Sequence, residues 1–325
     1  MEYVKLGNTG MDVSRICLGC MGFGNPDKWE LAPWILSEEQ SLPIIKKALD
    51  LGINFFDTAN IYSRGAGEEV LGKALKKYAN RDEIVIATKV FNRMHEGPNG
   101  QGLSRKAIMS EIDKSLKRLG TDYVDLYIIH RWDYNTPIEE TMEALNDVVK
   151  AGKARYIGAS AMFAWQFQKA LHVAEKHGWT RFVSMQNHYN LMYREEEREM
   201  IPLCKEEKIA LTPYSPLASG RLVRDWSVTT NRTEKDTVAV TKYGATIEVD
   251  RPIYDRVVEL SEKKGLSKTQ IALGWLLQKT TAPIVGATKI SHVEAAVGAL
   301  SVTLTDEEMA YLEEPYVPHK IVGHF

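Results

Sequence analysis

Short apolar stretches alternate along this chain with longer segments in which apolar residues recur every three or four positions. The stretches are Ile16–Cys20, Ile53–Asp57, Ile84–Lys89, Val124–His130, Ala154–Ser160, Phe182–Asn187, Ile209–Tyr214 and Ala282–Ala287. Several are nearly continuous apolar runs, the pattern of strands buried on both faces. The longer segments read as amphipathic helices. Ile108, Ile112, Leu116 and Leu119 share one face, with Ser104 as a predicted N-cap and Gly120 as a predicted C-terminal glycine. Before the first run, Tyr3–Leu6 and Asp12–Ile16 flank Gly7-Asn8-Thr9-Gly10, which predicts a hairpin.

Alternating β and α elements imply parallel strands joined by right-handed crossovers. Eight such units most simply close into a (β/α)8 barrel with an N-terminal hairpin, and an open doubly wound sheet satisfies the same count. The segment after the seventh run is unusually long. It holds a predicted irregular stretch over 218–250, then helices over Ile253–Lys264 and Ser267–Lys279. Connections of that length are usually functional.

Composition narrows the class. Of 325 residues 44% are hydrophobic and 26% charged, and 41 basic side chains against 43 acidic leave a net charge of −2. This is a globular balance, with no basic footprint for nucleic acid and no apolar run long enough to span a membrane. Length alone suggests two domains, but α/β barrels run longer than most single units, so one barrel domain over 1–325 is expected. Cys17, Cys20 and Cys204 cannot form a disulfide framework, which predicts a reducing, cytoplasmic setting. Cys17 and Cys20 are spaced C-x-x-C without a second ligand pair, so packing is the preferred reading and no metal is expected. The eight histidines include no H-x-H pair and no H-E-x-x-H motif. Gly67–Ala74 nearly matches a phosphate-binding loop but ends in Ala74 where a hydroxyl would hold magnesium. Gly65–Val70 likewise falls short of G-x-G-x-x-G.

In a (β/α)8 barrel the chemistry sits at the C-terminal strand ends. The second, third and fourth runs end in Asp57, Lys89 and His130, and Tyr62 follows Asp57 by five residues. The fifth, sixth and seventh end in Ser160, Gln186-Asn187 and Tyr214-Ser215. A phenol near pKa 10 is a poor proton donor at neutral pH, and a lysine ammonium beside it is expected to lower that value. A carboxylate keeps the lysine charged, and an imidazole can hydrogen-bond a carbonyl oxygen. None of the four supplies a hydride, so a reduction would need a cofactor.

Asp57-Thr58-Ala59-x-x-Tyr62, Ile86–Lys89 and Ile129-His130 resemble the signatures of the aldo-keto reductases, and the resemblance runs over nearly the whole chain. It implies a (β/α)8 barrel binding NADP(H) without a Rossmann domain. Tyr62 would be the proton donor, Lys89 and Asp57 its tuning pair, and His130 the carbonyl-orienting group. Ser160 and Gln186 match the residues that hold the nicotinamide carboxamide, and Tyr214 matches the residue that stacks on its ring. Ser215, Pro216, Leu217 and Ser219 match the pyrophosphate stretch, with Arg221 just beyond. Gly286, Thr288, Lys289 and His292 lie where the family binds the 2′-phosphate. Gly19, Cys20, Met21 and Asp57 complete the implied cofactor site. Trp132 is expected on the substrate side, with Trp29, Trp34 and Phe91 weighed equally as packing. A competing reading of Ser291–Glu294 is a helix capping box.

Two departures stand out: Ala161 replaces the usual Asn, and the basic cluster near Lys289 is reduced to Lys289 and His292. The first is shared with the branch of potassium-channel beta subunits and related bacterial reductases. The expected activity is NADPH-dependent reduction of a small carbonyl, aldehydes first and ketones as a further class. The alternatives are a Schiff-base aldolase using Lys89 and a nicotinamide-binding redox sensor or partner subunit with little turnover.

Overall fold

In the computed structural model, which describes residues 1–29, 32, 34–228 and 236–324, the hairpin comes first, as β1 (Tyr3–Lys5) and β2 (Asp12–Ser14). Eight strands follow: β3 (Cys17–Gly19), β4 (Phe55–Asp57), β5 (Val85–Val90), β6 (Val124–Ile129), β7 (Ala154–Ser160), β8 (Phe182–Gln186), β9 (Ala210–Leu211) and β10 (Ile284–Gly286). Each lies inside an apolar run read from the sequence or overlaps it. They form one sheet in the order β10-β3-β4-β5-β6-β7-β8-β9, every neighbour parallel. The sheet curls back on itself. The amide of Ile284 donates to the carbonyl of Pro213 at 2.9 Å and that of Thr281 to Leu211 at 3.0 Å, joining the β10 segment to the β9 segment. This is the (β/α)8 barrel. Every residue of β3 to β6 is buried, which is why these strands lack an alternating polar face.

Eleven helices are described: α1 (Glu38–Asp50), α2 (Ala66–Tyr78), α3 (Arg105–Leu119), α4 (Ile138–Lys150), α5 (Ala164–His177), α6 (Met200–Glu206), α7 (Thr237–Tyr243), α8 (Ile247–Lys264), α9 (Lys268–Leu277), α10 (Ile290–Gly298) and α11 (Asp306–Glu313). Helix α3 has the expected ends, with Ser104 Oγ accepting from the Ala107 amide at 3.2 Å and Gly120 left-handed at φ +67°. The near-miss phosphate loop is the start of α2. Its Glu68 is buried, accepts from Thr88 Oγ1 at 2.5 Å and pairs with Arg118 at 2.5 Å. Gly72 has a packing reason, since a Cβ there would lie 2.2 Å from the Leu119 carbonyl oxygen of α3.

The hairpin plugs the bottom of the barrel. Leu6 and Val13 are fully buried and cluster with Cys17, Phe55, Val85, Leu126, Ile128 and Ile284. Gly7, at φ +57°, has no room for a Cβ, which would sit 2.8 Å from backbone atoms of Val183 and Ala210. With the floor sealed, the opposite mouth is left for chemistry.

The segment after β9 departs from the sequence-based expectation. Residues 229–235 of the predicted irregular stretch lie outside the described residues, but α7 is helical and α8 begins at Ile247, not Ile253. The cause is long-range. Asp250 is buried, accepting from Thr246 Oγ1 at 2.6 Å and bonded to His319 Nε2 at 2.8 Å, so the far end of the chain holds this turn helical. Cys17, Cys20 and Cys204 are free buried thiols. Among the described residues no helix is long and apolar enough to cross a membrane.

Candidate active site

The sheet register brings the strand tips together. Gly286, Gly19, Asp57 and Ala87 lie abreast on β10, β3, β4 and β5, and Ser160 pairs with Gln186 across β7 and β8. Lys89, one residue before the end of β5, is fully buried. Its Nζ donates to Asp57 Oδ1 at 2.5 Å, to the Thr58 carbonyl at 2.8 Å and to Tyr62 Oη at 3.4 Å. Tyr62 opens a short 3-10 turn before α2, and Ser63 behind it is locked to the Asn25 backbone at 2.7 and 2.9 Å. The His130 ring stands edge-on to Tyr62, centroids 5.9 Å apart. The four side chains expected to act together do meet.

Protonation follows from burial and charge. Burial would strip Lys89 of its proton, but the Asp57 carboxylate and the Tyr62 oxygen outweigh it and hold the ammonium above its ordinary value. Burial also pushes the Tyr62 phenol up, further than the Lys89 charge pulls it down. The expected lowering of this phenol is therefore reversed, because desolvation penalises the phenolate in a mouth lined by protein. His130 is driven well below the usual imidazole value, by burial first and then by Arg131, Lys89 and Lys242. At neutral pH the site holds a phenol, an ammonium and a neutral imidazole.

The residues expected to hold the nicotinamide are placed around this cluster. Gln186 Nε2 donates to Asp57 Oδ2 at 2.9 Å, which leaves its side-chain Oε1 with no partner among the described residues. Ser160 Oγ donates to the Gln186 backbone carbonyl at 2.8 Å and keeps its lone pairs as acceptors. These are acceptors suited to a carboxamide NH2. The Tyr214 ring is parallel to His188 at 5.3 Å, with Lys242 Nζ 4.2 Å from its centroid, and its hydroxyl is buried with no partner among the described residues. Beyond it Ser219 and Arg221 line a cavity of about 260 Å³ with Arg224 and Trp226, where the two guanidiniums share the wall with the Asp225 and Asp236 carboxylates. Ser215 and Ala218 hold φ of +56° and +49°, which folds the intervening Pro216-Leu217 turn tightly.

At the other end of the implied groove the capping-box reading is wrong. Helix α10 begins at Ile290, its N-terminus carries no side-chain cap bond, and Glu294 instead pairs with Lys47 at 2.9 Å. Lys289 is exposed, and no ion pair to it occurs among the described residues. An uncapped helix N-terminus beside a lysine fits a phosphate. His292 Nδ1 lies 3.3 Å from the Thr288 amide and takes up one of the donors nearby. The Ser160 and Gln186 acceptors and the Lys289 charge are groups that a nicotinamide dinucleotide could use. Gly19, Cys20 and Met21 form the rim at the end of β3, with the Cys20 thiol turned to the Leu18 carbonyl at 3.6 Å.

Trp132 is largely buried, 6.1 Å from Trp165, whereas Trp29 lies 5.8 Å from the Tyr62 ring and so is the nearer wall for a substrate. Sequence reasoning passed over Asn92, whose amide nitrogen is 3.0 Å from His130 Nδ1, and Lys242. Neither sits at a strand tip, and neither stands in a recognisable spacing.

The sequence profile described as the Aldo/keto reductase family matches residues 15–316. The chain belongs to the aldo/keto reductase family. Versiconal hemiacetal acetate reductase of Aspergillus parasiticus is 47% identical, the match covering 99% of this chain and 98% of that protein. An aldo-keto reductase of Metarhizium robertsii is 43% identical over 100% of this chain and 93% of its own. A Schizosaccharomyces pombe protein named as a candidate aryl-alcohol dehydrogenase is 44% identical, covering 99% and 97%. This aldo/keto reductase is therefore an oxidoreductase of the NAD(P)H-using kind, matched from before β3 to beyond α11.

Proposed function

We propose that this aldo/keto reductase reduces aldehydes, and ketones as a further class, to alcohols with NADPH, and that Tyr62 is the proton donor. The observation that carries the proposal is the contact of Tyr62 Oη with Lys89 Nζ at 3.4 Å, with the same Nζ held by Asp57 at 2.5 Å. When bound, the reduced nicotinamide supplies the hydride that becomes the new C–H bond at the carbonyl carbon. His130 donates a hydrogen bond to the carbonyl oxygen and orients it. As that oxygen gains charge, Tyr62 passes it the phenolic proton, completing the alcohol. The phenolate left behind lies against the Lys89 ammonium, which offsets the cost of charging a half-buried phenol.

Ser160 and Gln186 hold the carboxamide and Tyr214 the ring face. Ser215, Pro216, Leu217, Ser219 and Arg221 line the pyrophosphate, and Gly19, Cys20 and Met21 supply the opposite rim. Gly286, Thr288, Lys289 and His292 receive the 2′-phosphate, which favours NADPH over NADH. Trp132 and Trp29 wall the substrate side.

The aldolase alternative needs a neutral Lys89, and the buried pair with Asp57 keeps that lysine charged. The relative named as an aryl-alcohol dehydrogenase puts aryl aldehydes first among the substrates to try. Mixed with excess aryl or aliphatic aldehyde, the enzyme is expected to oxidise many equivalents of NADPH at a rate linear in enzyme. Oxidation that stops at one equivalent per chain would contradict this reading and support the sensor of the channel-subunit branch.

A further inference from the structure

A histidine can donate from Nε2 as a neutral ring only if Nδ1 accepts, so whatever faces Nδ1 decides what the ring offers a substrate. In this chain the partner is an amide. Asn92 Nδ2 lies 3.0 Å from His130 Nδ1. A side-chain NH2 only donates, which makes Nδ1 the acceptor and puts the ring proton on Nε2. The two residues are also tied through the backbone, since the His130 amide donates to the Val90 carbonyl at 2.9 Å. Between Val90 and Asn92 the chain turns sharply. Phe91 takes φ +154°, a value side-chain-bearing residues rarely adopt, and its carbonyl accepts from the Gly102 amide at 2.7 Å.

We propose that Asn92 is the positioning residue of the active site, fixing His130 as a neutral imidazole with its proton on Nε2 aimed at the substrate oxygen. The inference rests on His130 being the carbonyl-orienting group. An amide suits the task where the more usual carboxylate would not. A carboxylate would draw the proton to Nδ1 and leave Nε2 a bare lone pair facing the carbonyl oxygen. It would also favour the imidazolium. The charged groups facing His130 from its surroundings are Arg131 on its own segment, Lys89 from β5 and Lys242 from α7, with the Tyr62 phenol edge-on. All three charges are positive and, with burial, keep the ring neutral once no carboxylate opposes them.

The test uses the full chain with histidine labelled in 15N, with and without NADPH, and His130→Gln to assign the ring. The expected spectrum has a protonated Nε2 and a bare Nδ1, unchanged from pH 6 to about 9. A bare Nε2 with the proton on Nδ1 would overturn the proposal. In steady-state aldehyde reduction, Asn92→Leu is expected to lower kcat about tenfold with the KM for NADPH within twofold. Asn92→Asp is expected to add an ionisation absent from the native profile, with kcat falling as the pH rises through it, because Nε2 can then donate only from the doubly protonated ring. An Asn92→Asp profile identical to the native one would overturn the positioning role. Full activity in His130→Gln would instead overturn the function proposed for His130, and the ring spectrum would still report what Asn92 fixes.

Discussion

Lys89 keeps a full positive charge inside protein because Asp57 meets it at 2.5 Å and the Thr58 carbonyl and Tyr62 hydroxyl take its other protons. Removing one partner of such a pair strands the other, at a cost of about 3–5 kcal/mol. Lys89→Met is therefore expected to destabilise the fold by about that amount in urea unfolding, as well as to abolish reduction. Adding Asp57→Asn should restore most of the stability and none of the activity. Equal and additive losses would show that the pair does not act as a unit. The residues themselves were legible in the sequence, because Asp57, Lys89 and His130 sit at strand tips and Tyr62 at a fixed spacing from the first. The direction of the Tyr62 shift was not legible. It depends on how much water the folded mouth excludes, a tertiary quantity on which the spacing of Tyr62 from Asp57 is silent. Asn92 was illegible for a related reason, since its partner His130 is thirty-eight positions away.

At the scale of elements, the barrel strands were legible as apolar runs and α3 by its two caps. The start of α8 was not, because Asp250 is held by His319 from the far end of the chain at 2.8 Å. That pair also makes a pH-dependent strap. Burial would lower the His319 imidazole, but the Asp250 carboxylate raises it above its ordinary value. A raised folded-state value means that the stabilisation is complete below the unfolded value of about 6.5 and is lost as the pH rises through the folded one. The Tm difference between the native enzyme and His319→Asn is thus expected to be widest near pH 6 and to shrink toward about pH 9. A difference that grows with pH would contradict the pairing.

Across the whole molecule, the hairpin seals one end of the barrel and the strand tips crowd the other, which is the end proposed to receive cofactor and carbonyl. In the proposed cofactor site the uncapped start of α10 and Lys289 receive the 2′-phosphate, and Tyr62 faces the reacting carbonyl. Lys289→Ala is expected to weaken NADPH binding about tenfold, near 1.4 kcal/mol, with NADH binding unchanged, as read by cofactor fluorescence titration. Equal losses for both cofactors would remove the 2′-phosphate from this end.

The account as a whole depends on the Tyr62 hydroxyl, and Tyr62→Phe deletes that group while keeping the ring. With aldehyde and NADPH, kcat should fall by about 10²–10⁴ while the NADPH dissociation constant stays within a few-fold of the native value. Turnover close to native in a variant that still binds NADPH would mean that the proton comes from elsewhere.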